Sequence, residues 1–344
     1  MKILKSKKKI EVLYIKKNSK IIDAISKLDD VKSKFLLVVD NKNLFQGVLN
    51  DGDIRRGILK GFNIDDKISN IYNKNPIFFN KSLTPIKSEK IFNDKKINFF
   101  PIINNKRVKE IFVNEEFNKS KLDNKLVVMA GGKGTRLGKF TKYTPKPMLK
   151  IKGKPILEHL IDRSKKQGVC NYIFTVNYLS SIIKKYFKNG KSKNVKIDYV
   201  HEKKPLGTAG SLYYLKKEKK DLIVSNADLF TNIDYLDLLS FHKKNKSDFT
   251  VVIKKMKWSF PYGAIKYKNF RLAKLNEKPV YKSDVIAGVY VINPKILNIL
   301  KSPRYLNITD LIQKILKLKK KVFIYPIYED WIDIGSYNEY LKIK

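Results

Sequence analysis

Short apolar runs alternate with amphipathic stretches along the C-terminal part of the chain. The short, mostly apolar runs at 125–130, 172–176 and 222–224 predict strands that are buried on both faces, as in parallel sheets. Residues 155–167 and 178–188, which lie between them, carry apolar positions at helical spacing. Three later runs predict further strands, at 249–253, 286–292 and 322–327. This order predicts an open α/β sheet that binds ligands at the carboxyl ends of its strands.

The N-terminal part carries a different pattern, which is repeated. Residues 19–60 run from a helical stretch through two strands, joined by an Asp-Asn-Lys-Asn turn, to a second helix, and residues 82–117 repeat this order. The polar stretch NEEFNKSKLDNK that follows the repeat lacks a sustained apolar period. We therefore predict two domains, at 1–117 and 125–344, joined by a linker at 118–124.

Composition limits the classes of function. The chain has 344 residues, and 73 Lys and Arg against 32 Asp and Glu give a formal net charge of +41. Only seven of the basic residues are arginine, and the lysines are spread along the whole chain, which favours AT-rich codon usage over a nucleic-acid-binding surface. The single cysteine, Cys170, excludes a disulfide scaffold, and no apolar run approaches the roughly 20 residues of a membrane span. We expect a cytoplasmic protein that binds neither nucleic acid nor membrane.

The strongest chemical signal is a glycine-rich segment directly after the first predicted strand of the C-terminal domain. Residues 129–137 (MAGGKGTRL) place three glycines within four positions, so backbone amides can approach an anionic ligand closely. Arg136 adds a positive fork that suits phosphate. The segment lacks the G-x-x-x-x-G-K-[ST] order of a Walker A loop, and a G-x-G-x-x-G fingerprint that starts at Gly132 would need glycine where Leu137 stands.

A second motif follows shortly after the glycine-rich segment. Residues 144–148 (TPKPM) hold Lys146 between two prolines on a stiff stretch of chain. Together, AGGKGTRL and PKPM resemble the sugar-1-phosphate nucleotidyltransferase family, whose members join a nucleoside triphosphate to a sugar 1-phosphate and release pyrophosphate. The resemblance covers nearly all of 125–344 and implies a Rossmann-like mixed open sheet of the α/β class. It also implies that the nucleotide is bound by Ala130, Gly131, Gly132, Gly134, Thr135 and Arg136.

Residues 202–210 (EKKPLGTAG) resemble the base-recognition loop of the family. The resemblance implies that Glu202, Gly207 and Thr208 bind the nucleotide. A carboxylate only accepts hydrogen bonds, and guanine offers an N1–H and an amino group side by side, so Glu202 favours GTP. The alternative is that Glu202 faces solvent beside the two lysines that follow it.

Two carboxylates that are far apart in the sequence are expected to share a magnesium ion. Asp228 follows the strand predicted at 222–224, and Asp333 lies in the motif WIDIG at 331–335. The resemblance implies that both ligate Mg²⁺, which prefers oxygen ligands and typically takes one or two carboxylates together with phosphates and water. The residues implied to act in the transfer itself are Arg136, Lys146, Asp228 and Lys278.

Three segments resemble the sugar side of the family's active site. They are FPYGA at 260–264, EKP at 277–279 and IAGVY at 286–290. The residues implied to bind the sugar phosphate are Tyr262, Gly263, Glu277, Lys278 and Gly288. The third segment usually begins with Asn, and Ile286 in that position cannot form a side-chain hydrogen bond, so one sugar contact is missing or is supplied from elsewhere.

The N-terminal repeat resembles a tandem pair of cystathionine-β-synthase (CBS) domains, which implies a smaller α+β domain. In CBS pairs that bind adenosine nucleotides, a Thr or Ser stands three positions before an Asp that holds the ribose. Here these positions are Asn50 and Asp53, and they are Val113 and Glu116 in the second copy. The second copy has lost the hydroxyl, so we favour a module for dimerisation or docking, through which the chain forms a homo-oligomer, over a nucleotide sensor.

Together the motifs predict an enzyme that transfers GMP from GTP to a sugar 1-phosphate with Mg²⁺. The pairing of a CBS module with this transferase resembles guanylyltransferases that act on glucosamine 1-phosphate in nonulosonic (legionaminic) acid synthesis, and also those that act on mannose 1-phosphate. Another NDP-hexose synthase is a further alternative. Two interpretations from other classes stay open, namely an inactive transferase fold that serves a CBS sensor and a basic protein that binds nucleic acid.

Overall fold

A computed structural model divides the chain into two units, Met1–Ser120 and Lys121–Lys344. The structure describes residues 2–31, 33–95, 97–114, 122–335 and 339–341. Within these ranges, no helix combines the length and the apolar character needed to cross a membrane.

The first unit contains two three-stranded sheets. Its strands are β1 (Lys2–Leu4), β2 (Tyr14–Lys16), β3 (Phe35–Val39), β4 (Phe45–Asn50), β5 (Phe99–Asn104) and β6 (Arg107–Val113). Its helices are α1 (Lys7–Glu11), α2 (Ile21–Asp30), α3 (Asp51–Leu59) and α4 (Pro85–Lys95). In one sheet, β3 pairs in parallel with β2 and antiparallel with β4, and in the other, β6 pairs antiparallel with both β1 and β5.

The repeated sequence pattern corresponds to a repeated order of elements in this unit. Helix α2 is followed by β3 and β4, and helix α4 is followed by β5 and β6. Phe35 on β3 stacks on Phe99 on β5, with ring centroids 3.6 Å apart. One buried cluster takes Leu37 from the first sheet and Ile111 from the second, so the two halves share a core.

The second unit begins with a strand in residues that were predicted to be linker. Strand β7 (Leu122–Met129) starts three positions before the first predicted run. Asn124 is buried, and its Nδ2 donates to the carbonyl oxygen of Asp221 over 2.7 Å. Residues 122–124 are therefore strand and not linker, because tertiary contacts there compensate for the weak apolar pattern. The rest of the predicted linker, 118–121, lies outside the described residues.

One large mixed sheet forms the centre of the second unit. The other strands are β8 (Lys150–Ile151), β9 (Lys154–Pro155), β10 (Val169–Val176), β11 (Lys196–His201), β12 (Leu222–Asn226), β13 (Leu229–Thr231), β14 (Phe249–Ser259), β15 (Ala264–Lys268), β16 (Arg271–Asn276), β17 (Val280–Ile292), β18 (Val322–Ile327) and β19 (Trp331–Asp333). Seven strands pair in the order β11-β10-β7-β12-β17-β14-β18. The first four are mutually parallel, and β17 is antiparallel to both of its neighbours. The predicted parallel strands are therefore neighbours, and the mixed α/β class is confirmed.

Helices cover both faces of this sheet. They are α5 (Ile156–Lys166), α6 (Ser180–Phe187), α7 (Tyr235–Lys244) and α8 (Ile308–Lys317). Successive strand residues point to opposite faces, so Val128 joins the core beneath α5, α6 and α7, whereas Val127 joins the core beneath α8. Leu157 and Leu311 are fully buried representatives of the two helical layers.

The carboxyl ends of β7 and β12 lie side by side in the sheet. Their parallel register sets Met129 opposite Asn226. The glycine-rich segment follows the first of these residues, and Asp228 follows the second within two positions. The fold thus brings two motifs that are remote in the sequence to one edge of the sheet, where ligands of open α/β sheets bind.

Candidate active site

The glycine-rich segment leaves the sheet at the end of β7. Ala130, the first residue after β7, is buried, and its amide donates to the carbonyl oxygen of Thr175 on β10 over 2.9 Å. Gly134 has a φ of 65°, in the left-handed region that favours glycine. A Cβ added at Gly134 would come within 3.0 Å of Thr141 Cγ2 and 3.1 Å of Lys146 Cβ. A larger residue at position 134 would therefore disturb the segment that carries Lys146.

Other residues of the same segment lie nearer to solvent. Gly132, Thr135 and Arg136 are exposed, and Gly131 is half-buried. A Cβ added at Gly131 would lie 3.1 Å from the Glu202 carboxylate. The structure therefore brings the predicted phosphate-binding segment directly beside the residue predicted to recognise the base.

Lys146 meets Asp228 at the same edge of the sheet. Lys146 opens a short 3-10 helix, Lys146–Met148, directly after Pro145 and is only 8% exposed. Its Nζ donates to Asp228 Oδ2 in a close ion pair. The proline-flanked segment that was predicted to be stiff thus holds an ammonium group against the first predicted metal ligand.

A two-stranded ribbon brings Asp333, the second predicted metal ligand, to the edge of the sheet where Asp228 lies. Strand β13 starts directly after Asp228 and pairs antiparallel with β19, so the residue that follows Asp228 lies opposite Asp333. The Ile334 amide donates to the Asp228 carbonyl oxygen over 3.2 Å. Burial raises the pKa of Asp333, and the nearby Asp228 carboxylate raises it further, while Lys146 and Arg136 oppose the rise. Asp228, Asp333 and two cations therefore share one half-buried site, with the carboxylate of Glu339 nearby.

The donor set of this site fits a magnesium ion. Asp228 Oδ1 and Asp333 Oδ1 are both buried, and neither has a hydrogen-bond partner within the described part of the chain. Buried polar atoms are normally satisfied, so a cation is the natural partner for two such oxygens. No cluster of three or more His, Cys, Asp or Glu able to hold a metal occurs among the described residues, so substrate phosphates and water would complete the coordination shell.

Arg136 lies next to the end of the ribbon. A Cβ added at Gly335 would lie 3.5 Å from Arg136 Nη1 and 3.8 Å from Asp333 Oδ1. Three of the four residues predicted to act in the transfer, and both predicted metal ligands, are therefore neighbours. The fourth, Lys278, lies in an exposed turn between β16 and β17.

Comparison with known proteins places the second unit in a family. Residues 125–344 match the family model described as Nucleotidyl transferase. The chain belongs to the nucleotidyl transferase family. Within it, the mannose-1-phosphate guanylyltransferase catalytic subunit beta of Dictyostelium discoideum is 32% identical over 226 residues, which are 63% of this chain and 63% of that subunit. The chain thus spans less than two thirds of that relative's length.

A shorter relative matches the transferase part almost from end to end. The D-glycero-alpha-D-manno-heptose 1-phosphate guanylyltransferase of Campylobacter jejuni is 34% identical over 218 residues, which are 62% of this chain and 96% of that enzyme. Among solved structures, HddC from Yersinia pseudotuberculosis has a TM-score of 0.52 at 26% identity, over 64% of this chain and 97% of HddC. HddC complexed with GMP-PN gives a TM-score of 0.51 at 26% identity. These alignments support the assignment of the family to the second unit.

In this nucleotidyl transferase, Glu202 is a buried carboxylate. It is 3% exposed, and the Leu206 amide donates to Glu202 Oε2 over 3.2 Å. Asn177 Nδ2 donates to the Glu202 carbonyl oxygen over 2.7 Å, which ties the loop to the end of β10. Burial raises the pKa of the Glu202 carboxyl, and the hydrogen bond from Leu206 opposes the rise. The alternative of a solvent-facing Glu202 is wrong, because only the two lysines after it point outward.

Gly207 and Thr208 connect the loop at 202–210, which was predicted to recognise the base, to α8. Thr208 Oγ1 accepts a hydrogen bond of 2.8 Å from the amide of Ile308, the first residue of that helix. Gly207 lies against the carbonyl group of Leu306. These contacts fix the shape of the loop around Glu202. No local sequence pattern predicts these contacts, because the contacting residues lie about 100 positions away along the chain.

Four of the residues predicted to bind the sugar lie together on exposed turns. Tyr262 is 69% exposed, and Gly263, Glu277 and Lys278 are exposed as well. A Cβ added at Gly263 would lie 3.2 Å from Glu277 Oε2, so the two motifs meet at the base of the hairpin formed by β15 and β16. The structure groups these four residues and leaves their side chains open to solvent.

Gly288 lies on the carboxylate side of the site. Its φ is 73°, and a Cβ added there would lie 2.7 Å from Asn226 Nδ2, two residues before Asp228. Next to it, the Ala287 carbonyl oxygen accepts a hydrogen bond of 2.8 Å from Trp331 Nε1. Neither Asn226 nor Trp331 was predicted to have a role, although Trp331 begins the motif that contains Asp333 and Asn226 stands two positions before Asp228.

Proposed function

We propose that the chain transfers GMP from GTP to a sugar 1-phosphate and releases pyrophosphate. The observation that carries this proposal is the cluster of Lys146, Asp228 and Asp333 beside the glycine-rich segment, at the carboxyl ends of parallel strands. Similarity to enzymes named as guanylyltransferases for mannose 1-phosphate and heptose 1-phosphate supports GTP as the donor.

The proposed reaction is a direct displacement at the α-phosphorus of GTP. A phosphate oxygen of the sugar 1-phosphate forms the new P–O bond while the bond between the α-phosphorus and the oxygen that bridges it to the β-phosphorus breaks. Pyrophosphate leaves with that electron pair. The attacking oxygen is already ionised at neutral pH, so no general base is needed. The main obstacle is repulsion between two anions, so the enzyme acts by neutralising charge and aligning the reactants.

The proposed catalytic residues supply positive charge where the phosphates meet. The amides of the glycine-rich segment and Arg136 bind the triphosphate and the departing pyrophosphate. Lys146, held by Asp228, neutralises charge near the α-phosphate. Lys278 binds the phosphate of the sugar substrate and orients the attacking oxygen.

Asp228 and Asp333 are proposed to hold Mg²⁺ through the two buried oxygens that have no hydrogen-bond partner within the described ranges. When bound, the ion neutralises phosphate charge and helps to align the reacting groups. Lys146 engages the other oxygen of Asp228, so the Asp228 carboxylate presents a single oxygen to the ion.

Guanine is proposed as the base because of the carboxylate of Glu202. A buried carboxylate beside the glycine-rich segment is an acceptor for two adjacent donors, and guanine presents such a pair on one edge. Leu206 orients this carboxylate through its amide. Uracil and thymine present one donor between two acceptors on that edge, so a carboxylate favours guanine over them.

The sugar is proposed to bind against Tyr262, Gly263, Glu277 and Lys278, with Gly288 lining the carboxylate side. We propose glucosamine 1-phosphate, for nonulosonic (legionaminic) acid or surface glycan synthesis, and mannose 1-phosphate as the alternative. The names of the relatives favour sugars of the manno series. Ile286 supplies no side-chain hydrogen bond, so backbone groups or neighbouring residues have to recognise the hydroxyl that faces it.

The first unit is proposed to be a CBS pair through which the chain forms a homo-oligomer. The repeated order of one helix and two strands supports the proposal. Asp53 Oδ2 accepts from the Asn50 amide over 2.9 Å, and Arg56 donates to Asp53 Oδ1, so this carboxylate already has partners within its own helix. Val113 ends β6, and Glu116 lies outside the described residues. These contacts favour a docking module over a ribose-binding one.

We also propose a cytoplasmic location and small-molecule partners. Cys170 is the single cysteine of the chain and is a free thiol, which fits a reducing compartment. The proposed partners are GTP and the sugar 1-phosphate, and neither nucleic acid nor a membrane is proposed.

The proposal is tested by measuring pyrophosphate release with Mg²⁺ for GTP, UTP, CTP, ATP and dTTP. Each nucleotide is paired with the 1-phosphates of glucosamine, N-acetylglucosamine, mannose, glucose and the manno-heptose. We expect one sugar to give rapid release with GTP and slow release with the other nucleotides. Preference for another nucleotide would contradict the role of Glu202, and no release from any pair by the folded protein would support the inactive-sensor alternative.

A further inference from the structure

The spacing between Asp228 and Asp333 depends on the ribbon formed by β13 and β19. Each strand of the ribbon has three residues, and the pairing sets Leu229 opposite Asp333. Two short paired strands are at best marginally stable alone in water. The position of the two carboxylates therefore depends on whatever holds the ribbon against the rest of the domain.

Arg163 on α5 holds the β13 side of the ribbon. Its guanidinium lies 3.4 Å from the centroid of the Phe230 ring, and Nη1 donates to the Thr231 carbonyl oxygen over 3.2 Å. A cation over an aromatic face is attracted to it, and more strongly where water is excluded. His159, one turn earlier on α5, packs edge-on against the Phe230 ring, with the two ring centroids 5.6 Å apart. These contacts fix the two residues that follow Leu229 on β13.

Lys254 on β14 holds the β19 side. Its Nζ donates to the carbonyl oxygens of Tyr328 and Glu329, over 2.9 and 2.8 Å, just before β19 begins. Burial lowers the pKa of Lys254, and the charges of Glu329 and Asp330 oppose the change. The charge of Asp330 also favours the charged form of Arg163, so the same carboxylate acts on both anchoring cations.

We propose that Arg163 is a positioning residue for the divalent cation, and that Lys254 is a second anchor of the same ribbon. Arg163 contacts Phe230 and Thr231, which lead back along β13 to Asp228, and Lys254 contacts the turn that leads into Asp333. Residues that orient metal ligands from outside the coordination shell commonly change metal affinity or activity about 10–100-fold when they are removed. The inference rests on the proposed metal-binding role of the two carboxylates.

A purely structural role for Arg163 makes a different prediction. Removal of a structural contact lowers the melting temperature but leaves the affinity for cation and nucleotide unchanged in the folded fraction. Removal of a positioning contact lets the two carboxylates drift apart, so the cation binds more weakly at temperatures where the protein is fully folded.

The experiment measures binding of Mn²⁺ alone to the full chain by electron paramagnetic resonance, since Mn²⁺ prefers the same oxygen ligands as Mg²⁺. We compare wild type with Arg163→Met, Lys254→Met, Asp228→Asn and Asp333→Asn. Arg271→Met, on the exposed strand β16, is the matched control.

We expect Arg163→Met to raise the Mn²⁺ dissociation constant about tenfold, the two Asn variants to lose tight binding, and the control to match wild type. In turnover assays, Arg163→Met lowers kcat and leaves KM for GTP within about twofold.

Two results overturn the inference by different routes. Tight Mn²⁺ binding by folded Arg163→Met, with loss of binding in both Asn variants, contradicts the positioning role and leaves the proposed metal site intact. Unchanged Mn²⁺ binding in the two Asn variants would show that Asp228 and Asp333 do not hold the cation, so the proposed metal site on which the inference rests would be wrong. If Arg163→Met does not fold, Arg163→Lys replaces it, because lysine lacks the planar guanidinium over Phe230, and wild-type Mn²⁺ affinity in that variant also contradicts the inference.

Discussion

The nucleotide side and the sugar side of the proposed active site are built in different ways. Lys146 is 8% exposed, and it is fixed against Asp228 by an ion pair and a ribbon of paired strands. Tyr262 is 69% exposed, and Glu277 lies with it on an open turn. Groups that aim charge at a reaction work best when their surroundings hold them rigid. The contrast indicates a preorganised site for the phosphates and a more solvent-exposed site for the proposed sugar.

The largest expected effect is on the carboxylates. Asp228→Asn and Asp333→Asn each lower kcat about 10²–10³-fold, because each removes one charged oxygen from the proposed cation site. Pyrophosphate release under saturating substrates measures the change, and circular dichroism checks the fold. Asp198→Asn on the exposed strand β11 is the control and is expected to match wild type. Near-normal turnover in Asp228→Asn and Asp333→Asn would contradict the proposed cation site.

Loss of Lys146 is expected to affect both catalysis and stability. Lys146→Met lowers kcat about tenfold to a hundredfold, and it lowers the free energy of unfolding by about 1–3 kcal/mol because Asp228 loses its partner in a largely buried site. The double variant with Asp228→Asn is expected to regain stability but not activity.

Denaturant unfolding and turnover assays together test this prediction. Lys139→Met, at an exposed position between the glycine-rich segment and residues 144–148, serves as the control. Strictly additive losses of stability in the double variant would contradict a direct ion pair between Lys146 and Asp228.

A smaller effect is expected for base recognition. Glu202→Gln replaces one acceptor oxygen by a donor, so kcat/KM for GTP falls about tenfold or more, while UTP changes little. Competition between GTP and UTP gives the ratio of their kcat/KM values directly. Lys203→Met, at the exposed neighbouring position, is the control. An unchanged GTP-to-UTP ratio would show that the Glu202 carboxylate does not face the base.

The smallest effect is expected on the sugar side. Glu277→Gln raises KM for the sugar 1-phosphate by about twofold to tenfold and leaves KM for GTP unchanged, because an exposed hydrogen bond contributes about 0.5–1.5 kcal/mol. Initial rates at varied sugar phosphate measure this, and Asp284→Asn, in the exposed first half of β17, is the control. A loss of kcat as large as that of Asp228→Asn would erase the contrast between the two sides.

The central strands could be predicted, and the glycine-rich segment could be recognised, because their signals are local. Apolar runs at 125–130, 172–176 and 222–224 lie within strands β7, β10 and β12, which are parallel neighbours. The three glycines before Arg136 also formed a local pattern. Each of these features depends on residues that are adjacent in the sequence, so their side-chain pattern carries the information.

The features that could not be predicted depend on partners far along the chain. The ribbon that joins Asp228 to Asp333 has only three residues in each strand, too few for a periodic signal. Thr208 finds its partner in Ile308, 100 positions away. Burial of Glu202 also has no local signal, because charged neighbours surround it in the sequence. Tertiary packing decides these cases, and motif order alone indicated that the two carboxylates would meet.

The central claim is that this site joins GTP to a sugar phosphate at the α-phosphorus. The most direct test uses sugar 1-phosphate labelled with oxygen-18 in its phosphate group, taking the sugar that supports pyrophosphate release, and follows the product by phosphorus NMR. We predict that a labelled oxygen becomes the bridge between the two phosphorus atoms, so both product resonances show the isotope shift and pyrophosphate carries no label. A product whose α-phosphorus lacks a labelled bridge, or label in the pyrophosphate, would contradict the account.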